Sequence, residues 1–213
     1  MEETRHAVLL CSGGLDSTTL AFWLEEQRIH FIPLFLNYGQ HCAATEFATA
    51  KAVLPEAVRN EIVSINISGV YKGSSSRLIT EANLWGDPVM DADLYLPYRN
   101  LVFLCIGSAY AQAHELRYLY AAFINSNHAK EIDCSAEFFA RLGKLLLEYG
   151  SVEVLMPFRD FSKRRVAELA LRLGVPIGGT FSCQVSSTIP CGACPNCVER
   201  LAALCGLGDT CAE

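Results

Sequence analysis

Along the chain, short apolar runs alternate with segments whose apolar positions recur at helical spacing. Residues 7–11, 30–36, 61–67, 117–123 and 152–156 read as strands. Several of them lack strict inside–outside alternation, which suits strands covered on both faces. Residues 17–27, 42–53, 100–115, 135–149 and 162–173 read as helices. Strand and helix in alternation predict an α/β fold: a Rossmann-like parallel sheet with right-handed crossovers and helices on both faces. Residues 68–98 break the rhythm with Gly, Ser, Asp and Pro. A loop of that length inside a compact domain is a lid or pocket wall, or else a surface insertion. From residue 178 a short cysteine-rich segment ends in a last helix, so the chain divides into 1–177, a nucleotide-binding α/β domain, and 178–213, a small module packed on it.

Composition adds bounds. With 213 residues, 51% hydrophobic and 19% charged, the chain can bury a sizeable core in one domain. Its formal charge of −6 argues against a general nucleic-acid binder. The start, "MEETRH", is acidic and lacks the basic-then-apolar pattern of a secretory leader, and "LVFLCIGSAYAQA" is too short and mixed to span a bilayer. A cytoplasmic protein with no nucleic-acid or membrane partner is expected.

The chemistry concentrates in two places. The first is "CSGGLDSTT", at the predicted turn from the first strand into the first helix. Ser12, Gly13 and Gly14 can turn successive N–H groups toward an anion, and a helix N-terminus adds partial positive charge. Asp16 or Ser17 is expected to cap that helix. No lysine lies near Gly13, so this is not the kinase-type phosphate loop, nor is it the Gly-x-Gly-x-x-Gly turn. Such a loop suits a pyrophosphate that stays or departs. The second place is Cys183-x7-Cys191-x2-Cys194-x2-Cys197. Four thiolates at these spacings can enclose a tetrahedral, structural Zn²⁺. An iron–sulfur cluster, a redox disulfide pair and unligated thiols are the alternatives. Cys205 and Cys211 fall outside the cluster. Ser162 reads as an N-cap, which places Lys163, Arg164 and Arg165 in a first helical turn. Cations there oppose the helix dipole unless an anion offsets them, and Arg164 and Arg165 read as solvated surface. No two of the five histidines share a ligand spacing, although His41 and His128 fall in suspected pocket loops.

The "SGGxDS" loop resembles that of the PP-loop ATP pyrophosphatases, enzymes that cleave ATP between the α and β phosphates and form an adenylate. Five stretches in order, "VLLCSGGLDSTT", "LNYGQHCAATE", "YLPYRNLVFLCIGSAYA", "FRDFSKRRVAELALRLGVP" and "FSC…PCGACPNCVER", resemble the 7-cyano-7-deazaguanine synthase family over nearly the whole chain. The resemblance implies ATP-dependent activation of the carboxylate of 7-carboxy-7-deazaguanine, attack by ammonia, and dehydration of the amide to the nitrile of queuosine biosynthesis. It implies a site built from Ser12, Gly13, Gly14, Leu15, Asp16, Ser17 and Thr18 around pyrophosphate. Asn37, Tyr98 and Asn100 would lie by the nucleotide, and Asp16, Arg99 and Lys163 would be catalytic. ATP, Mg²⁺ at Asp16 and structural Zn²⁺ follow, and family members often form homodimers. The family's "GYPDCRPEF" is altered here. Asp133, Cys134, Glu137 and Phe138 match, whereas Lys130-Glu131-Ile132 and Ser135 replace its Gly-Tyr-Pro and Arg, and Gln184 replaces an aromatic. That change implies an alternative acceptor, a protein amine, as in divergent relatives associated with anti-phage defence. Enzymes of tRNA thiolation and lysidine formation share the loop, but the charge and short chain argue against them. A non-catalytic nucleotide-binding zinc scaffold is the remaining reading.

Overall fold

The computed structural model describes residues 7–83, 89–124 and 134–207. Five parallel strands form one sheet in the order β3-β2-β1-β4-β5. They are β1 (Ala7–Leu10), β2 (Phe31–Asn37), β3 (Val63–Asn66), β4 (Tyr118–Tyr120) and β5 (Glu153–Leu155). Ala7 at the start of β1 sits opposite both Phe31 and Tyr118, so β1 is central. The helices are α1 (Leu15–Glu26), α2 (Ala43–Val53), α3 (Arg99–Ala113), α4 (Ala136–Tyr149), α5 (Lys163–Arg172) and α6 (Pro195–Leu204). None among the described residues is long and apolar enough to cross a membrane.

Period-two geometry sorts the layers. Ala7, Leu9 and Cys11 point to the face covered by Leu20 and Leu24 of α1, Ala50 of α2 and Val166 of α5. Val8 points to the other, with Leu34, Leu36 and Leu119, where Leu104 of α3 and Phe139 and Leu142 of α4 cover it. Both faces of β1 are therefore dry, which is why its sequence reads as an unbroken apolar run. Strand order reverses between β1 and its neighbour β4. In open parallel sheets the crevice at such a switch point, at the carboxyl ends of the strands, holds the ligand.

The observed strands β3 and β4 are shorter than the apolar runs suggest. Arg59–Glu61 is a 3-10 turn that precedes β3, and the residues after Tyr120 leave the ladder to line a cavity. The described part of 68–98 is neither a strand nor a loose insertion. Tyr71, Leu78 and Leu96 pack with Tyr38 in a core of their own, and Asp91 and Leu94 reach the cavity, so the segment is a wall.

Candidate active site

The turn from β1 into α1 is set by its glycines. Gly13 has φ +75, and a Cβ there would lie 2.7 Å from the Ala50 nitrogen and 2.8 Å from the Glu46 carbonyl oxygen. Both atoms belong to the backbone of α2, so the loop lies directly on that helix and a side chain has no room. Helix α1 starts at Leu15, earlier than its sequence pattern suggests, with Gly14 as its N-cap and no side-chain cap. The expected capping by Asp16 or Ser17 is thus not what forms. The first helical bond runs from the Thr18 N–H to the Gly14 carbonyl, which leaves the N–H groups of Leu15, Asp16 and Ser17 without intrahelical partners. Ser17 instead braces the turn: its Oγ accepts from the Ser12 N–H at 3.2 Å and donates to the Gly14 carbonyl at 3.3 Å. A capping side chain would occupy the donors that an anion needs, and glycine leaves them open.

Lysine reaches this loop from elsewhere. Lys163, the first residue of α5, places Nζ 2.6 Å from Asp16 Oδ2, with the two side chains only 12% and 25% exposed. Ser162 caps α5, its Oγ accepting from the Arg165 N–H at 3.3 Å. The anion that offsets the unfavourable dipole position of Lys163 is therefore already present in the protein. The other oxygen, Asp16 Oδ1, is buried with no hydrogen-bond partner among the described residues. Arg164 and Arg165 are exposed but engaged. Arg164 donates to the carbonyls of Ala203 in the last turn of α6 and of Cys205 just past it, and Arg165 lies 3.8 Å over the Phe161 ring.

Loop and lysine open into a cavity of about 370 Å³. Ser12, Gly14, Leu15, Asp16 and Ser17 line it together with Arg99, Asn100, Phe103 and Ala121–Ile124. Arg99 opens α3 after Tyr98, which takes the left-handed conformation at φ 56. Among the described residues the Arg99 guanidinium makes no hydrogen bond or ion pair, so it is not spent on a structural salt bridge. Asn100 is buried and donates from Nδ2 to Cys134 Sγ at 3.0 Å, while Arg159 donates to the Cys134 carbonyl. Gly13, Thr18, Asn37 and Tyr98 do not line the cavity. Gly13 is its underlay, Thr18 is buried within α1, Asn37 accepts from the Gly39 N–H to close the turn after β2, and Tyr98 is exposed. Residues 125–133, including His128, lie outside the described residues. Ser135 caps α4 by accepting from the Phe138 N–H, which gives that replacement a local role.

The sulfurs of Cys183, Cys191, Cys194 and Cys197 lie within 4.8 Å of one another. Zinc–sulfur bonds of about 2.3 Å in a tetrahedron put sulfurs ~3.8 Å apart, so the donor set fits that ion with little adjustment. Backbone N–H groups of Ser186, Cys191 and Cys194 point at the sulfurs of Cys183, Cys183 and Cys191, which favours thiolates. Cys205 is exposed and apart from the cluster, and Cys211 lies outside the described residues.

Two residues that the sequence did not single out complete the site. Glu46 lines the cavity beside Gln40, and burial pushes its carboxyl up despite hydrogen bonds from Gln40 and Cys42 and the nearby charges of His41 and Arg99. Its signal was slight: one acid in the otherwise small or apolar helix "AATEFATA". Arg200 of α6 donates to Thr180 Oγ1 at 2.6 Å, Ser182 Oγ at 3.2 Å and the Ile177 carbonyl at 2.6 Å. It thereby clamps the segment whose Phe181 N–H donates to the Gly13 carbonyl at 3.0 Å. Nothing in periodicity points to Arg200, because its partners lie upstream of the cysteines. Arg200→Ala is expected to cost about 2–4 kcal/mol, read as a lower denaturant midpoint at unchanged slope, with Arg200→Lys intermediate.

The queuosine biosynthesis protein QueC family model matches residues 6–208. The chain belongs to the QueC family. The 7-cyano-7-deazaguanine synthase of Synechococcus sp. (strain CC9605) is 33% identical over 98% of this chain and 97% of its own. That of Aquifex aeolicus (strain VF5) is 32% identical over 94% and 96%. Among solved structures, a 4-thiouridine synthetase–RNA complex with bound ATP matches 80% of this chain and 41% of its own, with TM-score 0.52 at 18% identity, a likeness of fold alone. QueC membership agrees with the resemblance carried by the five stretches of the sequence.

Proposed function

We propose that the protein uses ATP to adenylate the carboxylate of 7-carboxy-7-deazaguanine, and that ammonia then displaces AMP to give the amide. A second activation of the amide oxygen, with loss of water, yields the nitrile 7-cyano-7-deazaguanine. The observation that carries this reading is the joining, in one cavity, of a glycine loop with no side-chain cap, a lysine delivered to it by another helix, and an arginine with no ion pair among the described residues. The free N–H groups of Leu15, Asp16 and Ser17 bind departing pyrophosphate, and Lys163 swings from Asp16 toward it as charge develops. Asp16, whose Oδ1 is already unpartnered among the described residues, would hold Mg²⁺, which would supply neutralisation of phosphate charge. Arg99 holds the substrate carboxylate or the α-phosphate, which brings two anions into attack range. A free carboxylate would have to expel oxide, whereas the adenylate expels AMP. The four cysteines would hold a zinc ion, and with all four positions taken by thiolates it would supply folding stability rather than chemistry.

Incubation with ATP, Mg²⁺, the carboxylate and ammonium, followed by mass spectrometry, tests this. Amide and then nitrile are expected, and no adenylate, amide or nitrile would overturn it. A mass gain on a polypeptide instead of the nitrile would move the acceptor to a protein amine. Lys163→Met is expected to slow carboxylate-dependent ATP–pyrophosphate exchange about 10–100-fold, mainly through KM for ATP, without altering the unfolding midpoint by more than a few degrees.

A further inference from the structure

The geometry points to Glu46 as the base that takes a proton from ammonium to free the attacking ammonia. This rests on the ligase reading above. Near neutral pH nearly all ammonia is ammonium, which has no lone pair to attack with. An enzyme that uses it needs a site that attracts the cation and then removes its proton.

Glu46 is built for that. It sits in the turn of α2 that carries the glycine loop, since its own carbonyl would be 2.8 Å from a Cβ on Gly13. It lines the same cavity as Ser12, Ser17 and Arg99. Its carboxyl is held in a defined pose. The Tyr38 N–H donates to Gln40 Oε1 at 2.9 Å, which orients the Gln40 amide so that Nε2 donates to Glu46 Oε2 at 2.8 Å and to the Leu36 carbonyl at 3.3 Å. Among the described residues Oε1 has only the weak thiol donor Cys42, at 3.4 Å. That oxygen keeps acceptor capacity for an N–H donor.

The remaining acids of the cavity serve less well. Asp16 is paired with Lys163, Asp91 is exposed, and Glu199 belongs to α6 on the metal-module side. The groups that face Glu46 are His41 and Cys42 from the start of its own helix, Tyr38 from the end of β2 and Arg99 from α3. Burial raises the affinity of this carboxyl for a proton, as a base needs, while Gln40 keeps it an acceptor.

The step balances as follows. The Glu46 carboxylate takes one proton from ammonium. The freed nitrogen lone pair forms the C–N bond to the acyl carbon. The bond from that carbon to the phosphate oxygen breaks, and AMP leaves with the electron pair. The second proton leaves nitrogen to water, giving the amide.

Glu46→Gln preserves shape and removes the base. Its amide formation from ammonium at neutral pH is expected to fall about 100-fold or more, and to recover with rising pH as free ammonia increases. Carboxylate-dependent ATP–pyrophosphate exchange, and trapping of the adenylate by hydroxylamine, which is already neutral there, should stay within about threefold of wild type. Glu46→Asp should show the same pattern more weakly, and stands in if the glutamine variant folds poorly. Equal losses with ammonium, hydroxylamine and exchange would make Glu46 a binding or folding residue and overturn the proposal, as would an unimpaired ammonium reaction. Absence of exchange in wild type would instead overturn the ligase reading itself.

Discussion

Gly13→Ala is expected to abolish pyrophosphate exchange, by about 100-fold or more, equivalent to at least ~2.7 kcal/mol of lost transition-state stabilisation. Two penalties coincide at this position. The backbone is left-handed at φ +75, which costs an L-residue about 1–3 kcal/mol. The added Cβ would also meet the Ala50 nitrogen at 2.7 Å and the Glu46 carbonyl oxygen at 2.8 Å. Neither is the end of a flexible side chain, so the loop itself must lift off α2, and the N–H groups that face the ligand turn with it. Gly14→Ala is the control. Gly14 sits in extended backbone at φ −74, and its nearest neighbour, Ser12 Oγ at 3.3 Å, can rotate away. Exchange should then fall by less than about tenfold. Exchange in Gly13→Ala at the level of the control would show that the loop does not hold pyrophosphate.

Removal of the metal is the second large effect. One zinc per chain is expected by elemental analysis. A strong chelator, or Cys197→Ser, should lower the unfolding midpoint by about 10 °C or more, since a closed four-sulfur site contributes many kcal/mol of folding free energy. It should also weaken ATP binding by about tenfold or more, as isothermal titration would measure. The link is structural. The module's Phe181 N–H holds the Gly13 carbonyl, His41 Nε2 meets the Gln184 carbonyl at 3.1 Å, and Thr45 donates to the Ser187 carbonyl. Loss of the ion frees three attachments between the cysteine segment and the elements that carry the loop and Glu46. Unchanged ATP affinity in the metal-free protein would show that the module is an independent appendage.

The site was unevenly legible. The glycine loop and the cysteine set could be read because each is local: a positive φ or a tight knuckle restricts residue types within a few positions. Ser162 as a cap was legible for the same reason, since its hydroxyl serves an N–H three residues on. The cap of α1 misled, because Asp and Ser after a glycine pair look like capping residues, whereas the helix that binds an anion does better with an empty N-cap. Glu46 and Arg200 stayed hidden because their roles depend on partners brought near by other elements. Gln40 is oriented by the backbone of Tyr38, and Thr180 and Ser182 are reached from a helix after the metal knuckle. Lys163 was suspected for its awkward dipole position, but its actual partner, Asp16, lies 147 residues away in the chain.

By itself the sequence determined the alternation of strands and helices, the glycine turn after β1 and the clustering of four cysteines, for these arise from short-range periodicity, backbone sterics and close spacing in the chain. Only the tertiary structure decided the strand order β3-β2-β1-β4-β5, and with it the convergence of α1, α2, α3 and α5 on one crevice. Many orders satisfy the same local pattern. The packing that buries both faces of β1 also brings Lys163 to Asp16, seats the glycine loop on the turn of α2 that carries Glu46, and puts Arg99 in the lining of the same cavity.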